Sequence, residues 1–541
     1  MIKDGSTNMI MNTGSLLNKA EWAAAGVKLP LYDVAGMAAK TQASPIWVHF
    51  GAGNIFRGFV ASLQQKLLDE GGADRGIVAA ETFDFDIIDR IYAPYGNLTM
   101  NVILNADATT SCEIIAAISE ALKADEDGNS RLAEIFSDPG LQLASFTITE
   151  KGYALNGADG GLLPVVKADI SNGPDKAKHA MSVAAALLYK RYQAGRYPLA
   201  VVSMDNCSRN GEKLQAGIVS VAEAWKDAGF VDGGFLAYLN DESKISFPWS
   251  MIDKITPRPD KSVAKLLAGR GIEGMEPVLT DKNTYIAAFV NAERPQYLVV
   301  EDKFPNGRPA LEKAGVYMTD RDTVNKVERM KVTTCLNPLH TAMSVYGCLL
   351  GYTLISAEMK DPDIVALIRR LGYTEGLPVV TDPGILSPKA FIDEVLEERL
   401  PNPFMPDDPR RIATDTSQKV GIRFGETIKS YQAQGRDLGE LVALPLAIAG
   451  WMRYLLAADD NGNAMEVSPD PLKDELQKKL AGVVWNDPKS YSGQLREILA
   501  NPVIFGSDLT KTVLADKIEA MFAEELAGVG AVRATLRKYL G

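Results

Sequence analysis

The chain has 541 residues and a formal net charge of −12, with the apolar and charged balance of a globular protein. That length exceeds one ordinary hydrophobic core and predicts two large domains, and no uncharged apolar run of about 18 residues is present to cross a bilayer. The acidic balance argues against a nucleic-acid-binding surface, so any anionic substrate needs a local basic cluster.

The N-terminal stretch MIKDGSTNMIMNTGSLLNKA carries Lys3 but no continuous apolar segment. It does not read as a secretory signal, and the expected location is the cytoplasm. The cysteines Cys112, Cys207, Cys335 and Cys348 form no CxxC pair, and His49, His179 and His340 stand far apart with no HExxH. Neither a disulfide framework nor a metal site is expected.

PIWVHFGAGNIFRGFVASLQQKLLDEGG, from residue 45, reads as an apolar strand, a glycine turn and an amphipathic helix ended by Gly71 and Gly72. RGIVAAETFD follows as a second strand, with NLTMNVIL, LQLASFTIT and PLAVVSM as further strands. This alternation predicts an α/β fold, a Rossmann-type doubly wound sheet, over residues 1–302. From about Lys303 the texture changes to helical segments: DPDIVALIRRLGYTEGL, PKAFIDEVLEERL, DLGELVALPLAIAGWMRYLLAA and DKIEAMFAEELAGV. They predict a mostly α-helical substrate domain over residues 303–541. ADEDGNS and ADDNGN look like calcium loops but lack the glycine and glutamate such loops need, and read as solvated turns.

In HFGAGNIFRGF, Gly51 permits a tight turn, and Gly53 lets the backbone approach a pyrophosphate held at the helix N-terminus. Gly51, Gly53, Asn54, Ile55, Phe56 and Arg57 form the expected cofactor turn, Phe56 standing where the usual fingerprint has a third small residue. Arg57 can meet a cofactor phosphate or a surface carboxylate. Glu81, closing the second strand, is placed to accept from a ribose hydroxyl and repel a 2′-phosphate, which favours NAD over NADP. Asp84 or Asp86 can take its place. A purely structural turn, and an acid that caps the following helix, are the plain alternatives.

GAGNIFRGF also resembles the polyol-specific long-chain dehydrogenases, the mannitol dehydrogenase family. So do, in order, TITEKGY (147–153), MDNCSRNG (204–211), MIDKITP (251–257), MKVTTCLNPLHTAMSVYG (330–347) and NPFMPDDPRRIATDTSQK (402–419). The resemblance implies a Rossmann-type domain followed by a helical domain, an NAD cofactor, a small sugar-acid substrate and no metal. On the matching positions it implies Lys331 as general acid/base, Asn206 and Asn337 flanking the substrate oxygen, His340 as a substrate contact, and Glu328 in proton passage to solvent. It also implies substrate binding by Arg411, Lys419, Asp253 and Lys254, the last standing where relatives often carry arginine. The TTCLNPLHTA insertion is most like fructuronate reductases, which implies reversible NADH-dependent reduction of D-fructuronate to D-mannonate at C5, in hexuronate catabolism. Arg411, with its planar fork, is then the expected partner of the carboxylate. Mannitol 2-dehydrogenase and tagaturonate reductase share these residues and stay open, as does a non-catalytic dinucleotide sensor. Oligomeric state is not legible.

Reducing a ketone requires a hydride donor, stabilisation of the developing alkoxide and a proton. Lysine supplies the proton, and asparagine amides donate to the oxyanion without titrating. Read alone, Lys331 is a surface lysine, His340 a core histidine, Asn206 a turn residue, Asn337 a helix cap, and Arg411 and Lys419 solvated charges. One departure bears on geometry. The family lysine lies five residues before the asparagine, whereas Lys331 lies six before Asn337. At about 100° per residue a straight α-helix would put Lys331 and His340 on opposite faces. Pro338 disfavours a regular helix through Thr334. An irregularity is therefore predicted between Val332 and Asn337, with either Asn337 capping a helix that begins at Pro338 or a π-bulge absorbing the extra residue.

Overall fold

A computed structural model describes residues 9–125 and 128–541. The start of the N-terminal stretch (1–8) and residues 126–127 of the ADEDGNS turn lie outside the described residues. The chain divides into two compact units, Met1–Asn105 with Thr109–Asn325, and Ala106–Ala108 with Lys326–Gly541.

The first unit is built on six strands, β1 (Trp47–Phe50), β2 (Ile77–Glu81), β3 (Ile118–Lys123), β4 (Leu143–Phe146), β5 (Leu199–Ser203) and β6 (Ile245–Ser246). Their order is β3-β2-β1-β4-β5-β6 and every pairing is parallel. This is the doubly wound dinucleotide-binding order, whose direction reverses between β1 and β4. Every residue of β1, β2, β4 and β5 is buried, as strands covered on both faces must be. Alternate side chains feed opposite cores. Val48, Phe50, Val78 and Ala80 join Met181 and Leu188 of helix Ala180–Gly195 and Leu214 and Trp225 of helix Asn210–Asp227, while Trp47, Ile77 and Ala79 join Leu63 and Leu67 of helix Ala61–Asp69.

NLTMNVIL is a strand, Thr99–Leu104, but not of this sheet. It pairs antiparallel with Thr110–Ile115 and parallel with Phe289–Glu293 in a separate four-stranded sheet. The parallel sheet instead takes Ile118–Lys123 as its edge strand, whose last four residues are only half-buried and whose SEALK sequence reads as helical. The division between units falls after Asn325 and not at the 302/303 change of texture. Strand Tyr317–Thr319 pairs with Tyr297–Glu301, which pairs with Ser250–Asp253, so residues 303–325 remain with the first unit.

Among its described residues the second unit contains no strand. Helix Ala443–Tyr454 is buried on every side and packs against helices Asn337–Leu349 and Leu514–Glu525. Two of the expected helices lose α geometry part-way, Pro362–Arg369 into a π turn at Arg370–Gly376 and Pro388–Glu394 into one at Val395–Arg399. DLGEL is a short 3-10 turn and not the start of the helix that follows. No helix among the described residues is long and apolar enough to cross a membrane. All four cysteines are free thiols.

Candidate active site

In the first unit the glycine turn leaves β1 at the point where strand order reverses. Gly51 has φ of 99°, and a side chain there would collide with the Thr147 carbonyl that follows β4, so only glycine closes this turn. A side chain at Gly53 would meet nothing within 4 Å, so the backbone here borders open space. Gly53, Asn54 and Ile55 are half-buried, whereas Phe56 and Arg57 are completely buried. The helix expected after the turn passes through a π turn, Phe56–Val60, and Phe56 stacks on His49 at 4.1 Å. His49 bonds Ser145 and Thr147, and burial pulls it down to about 3, so the ring is neutral.

Arg57 is turned inward and fully buried. Its guanidinium donates to the Ala287 carbonyl at 2.8 Å and to Asn54 Oδ1 at 2.9 Å, a structural clamp on the turn. Glu81 is also drawn inward. One oxygen accepts the Ala52 N–H at 2.9 Å, and the other accepts from Thr82 and Phe83 at 2.9 Å and from Asp84 at 3.4 Å. Burial raises the Glu81 carboxyl pKa, and these four N–H groups oppose that rise. Asp84 accepts from Thr280 Oγ1 at 2.7 Å.

Asn206 is exposed on the loop after β5. Its neighbour Asp205, which sequence reasoning passed over, accepts from the backbone of Ile148 and Thr149 at 2.8 and 3.0 Å and from Tyr153 Oη at 2.6 Å. This carboxylate ties TITEKGY to MDNCSRNG at the C-terminal ends of β4 and β5. Asp253 ends its strand buried, and Lys254 donates to the Glu293 carbonyl and to Gln296 Oε1.

In the second unit, the half-buried Glu328 lies near the end of helix Arg321–Met330. A π turn, Lys331–Cys335, follows, and then helix Asn337–Leu349 with Pro338 in its first turn. The Leu336 N–H donates to the Lys331 carbonyl at 3.1 Å, and the His340 N–H donates to the Leu336 carbonyl at 3.0 Å. Each bond joins residues stacked one turn apart, so Lys331, Leu336 and His340 lie along one side of the helix. The predicted irregularity takes its π form. Leu336 holds the capping position, with φ −129° and ψ −62°, and no side chain caps the helix, so Asn337 is not its cap.

Lys331 is 5% exposed. His340 Nε2 is buried without a hydrogen-bond partner among the described residues. Burial pulls the His340 pKa down to about 4, Asp407 opposes this, and Arg423, Arg411 and Arg399 add to it. Arg411 is ion-paired to Asp407 and its side chain is 66% exposed. Lys419 donates to the Thr414 and Ile412 carbonyls, and its pKa is lowered by burial and by Arg423. Arg399, Asp407 and Arg423 were not anticipated. Asp407 lies inside the NPFMPDDPRRIATDTSQK motif, whereas Arg423 follows it by four residues and Arg399 precedes it.

Two family models match the chain, the mannitol dehydrogenase Rossmann domain over residues 45–313 and the mannitol dehydrogenase C-terminal domain over residues 323–525. A D-mannonate oxidoreductase of Thermotoga maritima is 49% identical over 538 residues, 98% of this chain and 99% of the relative. A D-sorbitol dehydrogenase in substrate-free form has TM-score 0.80 at 25% identity, covering 98% of this chain and 100% of the other. Pseudomonas fluorescens mannitol 2-dehydrogenase, in ternary complex with NAD and D-mannitol, has TM-score 0.67 at 26% identity, covering 98% and 99%.

Proposed function

The chain belongs to the mannitol dehydrogenase family, and from that premise we propose that it is an NAD-dependent oxidoreductase interconverting D-fructuronate and D-mannonate in hexuronate catabolism. The reaction type rests on the hydrogen-bond ladder from Lys331 through Leu336 to His340, which sets a buried lysine on the side of the helix that carries the histidine. The substrate class rests on the near-full-length identity to a D-mannonate oxidoreductase.

The glycine turn fits a dinucleotide, because Gly53 leaves its backbone bare at the switch point of the sheet. Gly51, Gly53, Asn54 and Ile55 would hold its pyrophosphate, with Phe56 and Arg57 bracing the turn from behind. Glu81 fixes the Ala52 N–H and keeps a carboxylate at the end of β2, which supports NAD over a 2′-phosphorylated cofactor. When bound, NADH supplies the hydride.

Lys331 gives its proton to the oxygen at C5 and recovers one by way of Glu328. Asn337 donates an amide hydrogen to that oxygen, an interaction of this kind contributing about 3 kcal/mol. Neutral His340 contacts a substrate hydroxyl, and Arg411 and Lys419 bind the rest of the sugar acid. The test is Lys331→Ala. The expected result is intact NADH binding with turnover lower by about 100- to 10,000-fold. Unchanged turnover would refute the assignment. A wild type that binds NADH and reduces none of D-fructuronate, D-tagaturonate and D-fructose would support the sensor reading instead.

A further inference from the structure

The second unit holds a half-buried guanidinium without a counter-charge among the described residues. Arg423 sits in a π turn, Gly421–Gly425, with glycine at both ends. A side chain at Gly421 would lie 2.8 Å from the Ile504 carbonyl, and one at Gly425 would collide with the Phe505 carbonyl, so close backbone packing fixes the turn. The turn packs against the π turn that carries Lys331, and Thr427 Oγ1 donates to the Thr333 carbonyl at 3.3 Å just beyond it. Arg423 Nη1 donates to Thr341 Oγ1, beside His340. Among the described residues it forms no ion pair, whereas Arg329 pairs with Glu426, Arg410 with Asp408 and Arg411 with Asp407. Burial, with no carboxylate opposing it, pulls the Arg423 pKa down to about 10.

A partly desolvated guanidinium with unused donors is most stable when it receives an anion. Its position along the helix identifies which anion. Thr341 lies four residues beyond Asn337 on the same face, a rise of about 6 Å. In a linear 5-keto hexuronate three carbons separate the keto carbon from the carboxylate carbon, a span of similar length. We propose that Arg423, and not the exposed and paired Arg411, binds the substrate carboxylate and so selects the sugar acid over the uncharged ketose. This inference rests on the reading of Asn337 as a donor to the reacting oxygen.

The experiment compares kcat/KM for D-fructuronate and D-fructose, with NADH, in wild type, Arg423→Gln, Arg423→Lys and Arg411→Gln, each checked by circular dichroism. Arg423→Gln is expected to collapse the fructuronate-to-fructose ratio about 100-fold, mainly through KM for fructuronate, and Arg423→Lys to restore part of it. Arg411→Gln, which removes a contact shared by both substrates, is expected to weaken both alike and so to leave the ratio within about threefold. A wild type that prefers fructuronate, combined with an Arg423→Gln variant that loses both substrates equally or neither, overturns the inference alone. A wild type that prefers fructose overturns the substrate reading as well. Should Arg423→Gln fail to fold, the Lys variant decides: an unchanged ratio overturns the inference, because a point charge cannot replace the bidentate fork.

Discussion

The Leu336 amide bonds the Lys331 carbonyl five residues back, where an α-helix would have used the Cys335 amide, and this one turn decides which way the lysine points. A π turn absorbs a residue without rotating what lies on either side of it. Deleting Val332, a half-buried residue of the turn, is therefore expected to remove the extra residue and leave Lys331 on the His340 side, and to retain activity within about tenfold. Inserting an alanine after Val332 turns Lys331 by about 100° and is expected to cut turnover at least about 100-fold. Steady-state kinetics of the two variants check this, and a reversed order would contradict it.

Glu81 supports the glycine turn through four backbone N–H groups. Truncation to alanine leaves those donors without an acceptor, at a cost of about 1–3 kcal/mol for each one left buried. Glu81→Ala is expected to lower Tm and weaken NADH binding about tenfold or more, while Glu81→Gln, which keeps one oxygen, does less of both. Calorimetry and fluorescence titration with NADH measure the two effects.

Two buried acids make stability depend on pH in a defined direction. Glu358 is 0% exposed, neither of its oxygens is hydrogen-bonded among the described residues, and burial, reinforced by Asp361 and Asp408, pushes its carboxyl up to about 9. Glu525, which accepts from Tyr346 Oη at 2.7 Å, is pushed up to about 8 by burial. In the unfolded chain both ionise near about 4.3. Between those limits the folded state holds more protons than the unfolded state, so stability is full below about 4.3 and is lost as pH rises toward 8 and 9. Glu358→Gln, which mimics the protonated acid, is expected to match wild type near pH 5 and exceed its Tm near pH 9. Parallel Tm-versus-pH curves would show that Glu358 is not the group responsible.

Strands β1, β2, β4 and β5 were legible in the sequence because burial on both faces writes them as continuous apolar runs. Strand β3 was not, since an edge strand with half-exposed residues has no such constraint and ISEALK carries helix-forming residues. Thr99–Leu104 was recognised as a strand but given to the wrong sheet, because sheet membership depends on partners distant in sequence and not on local propensity. The helix irregularity at Lys331 was legible, since a proline and a one-residue spacing error both act locally. The anchoring of Arg57 and the role of Arg423 were not legible, for the opposite reason. Arg57 is anchored by a carbonyl 230 residues away, and Arg423 depends on tertiary packing around Gly421 and Gly425.

The central claim is the substrate and cofactor pair, and initial rates with D-fructuronate, D-tagaturonate and D-fructose, each with NADH and NADPH, test it most directly. The account predicts the highest kcat/KM for D-fructuronate with NADH, by at least about 100-fold over D-fructose. A higher kcat/KM for D-tagaturonate or D-fructose, or a preference for NADPH, would contradict it.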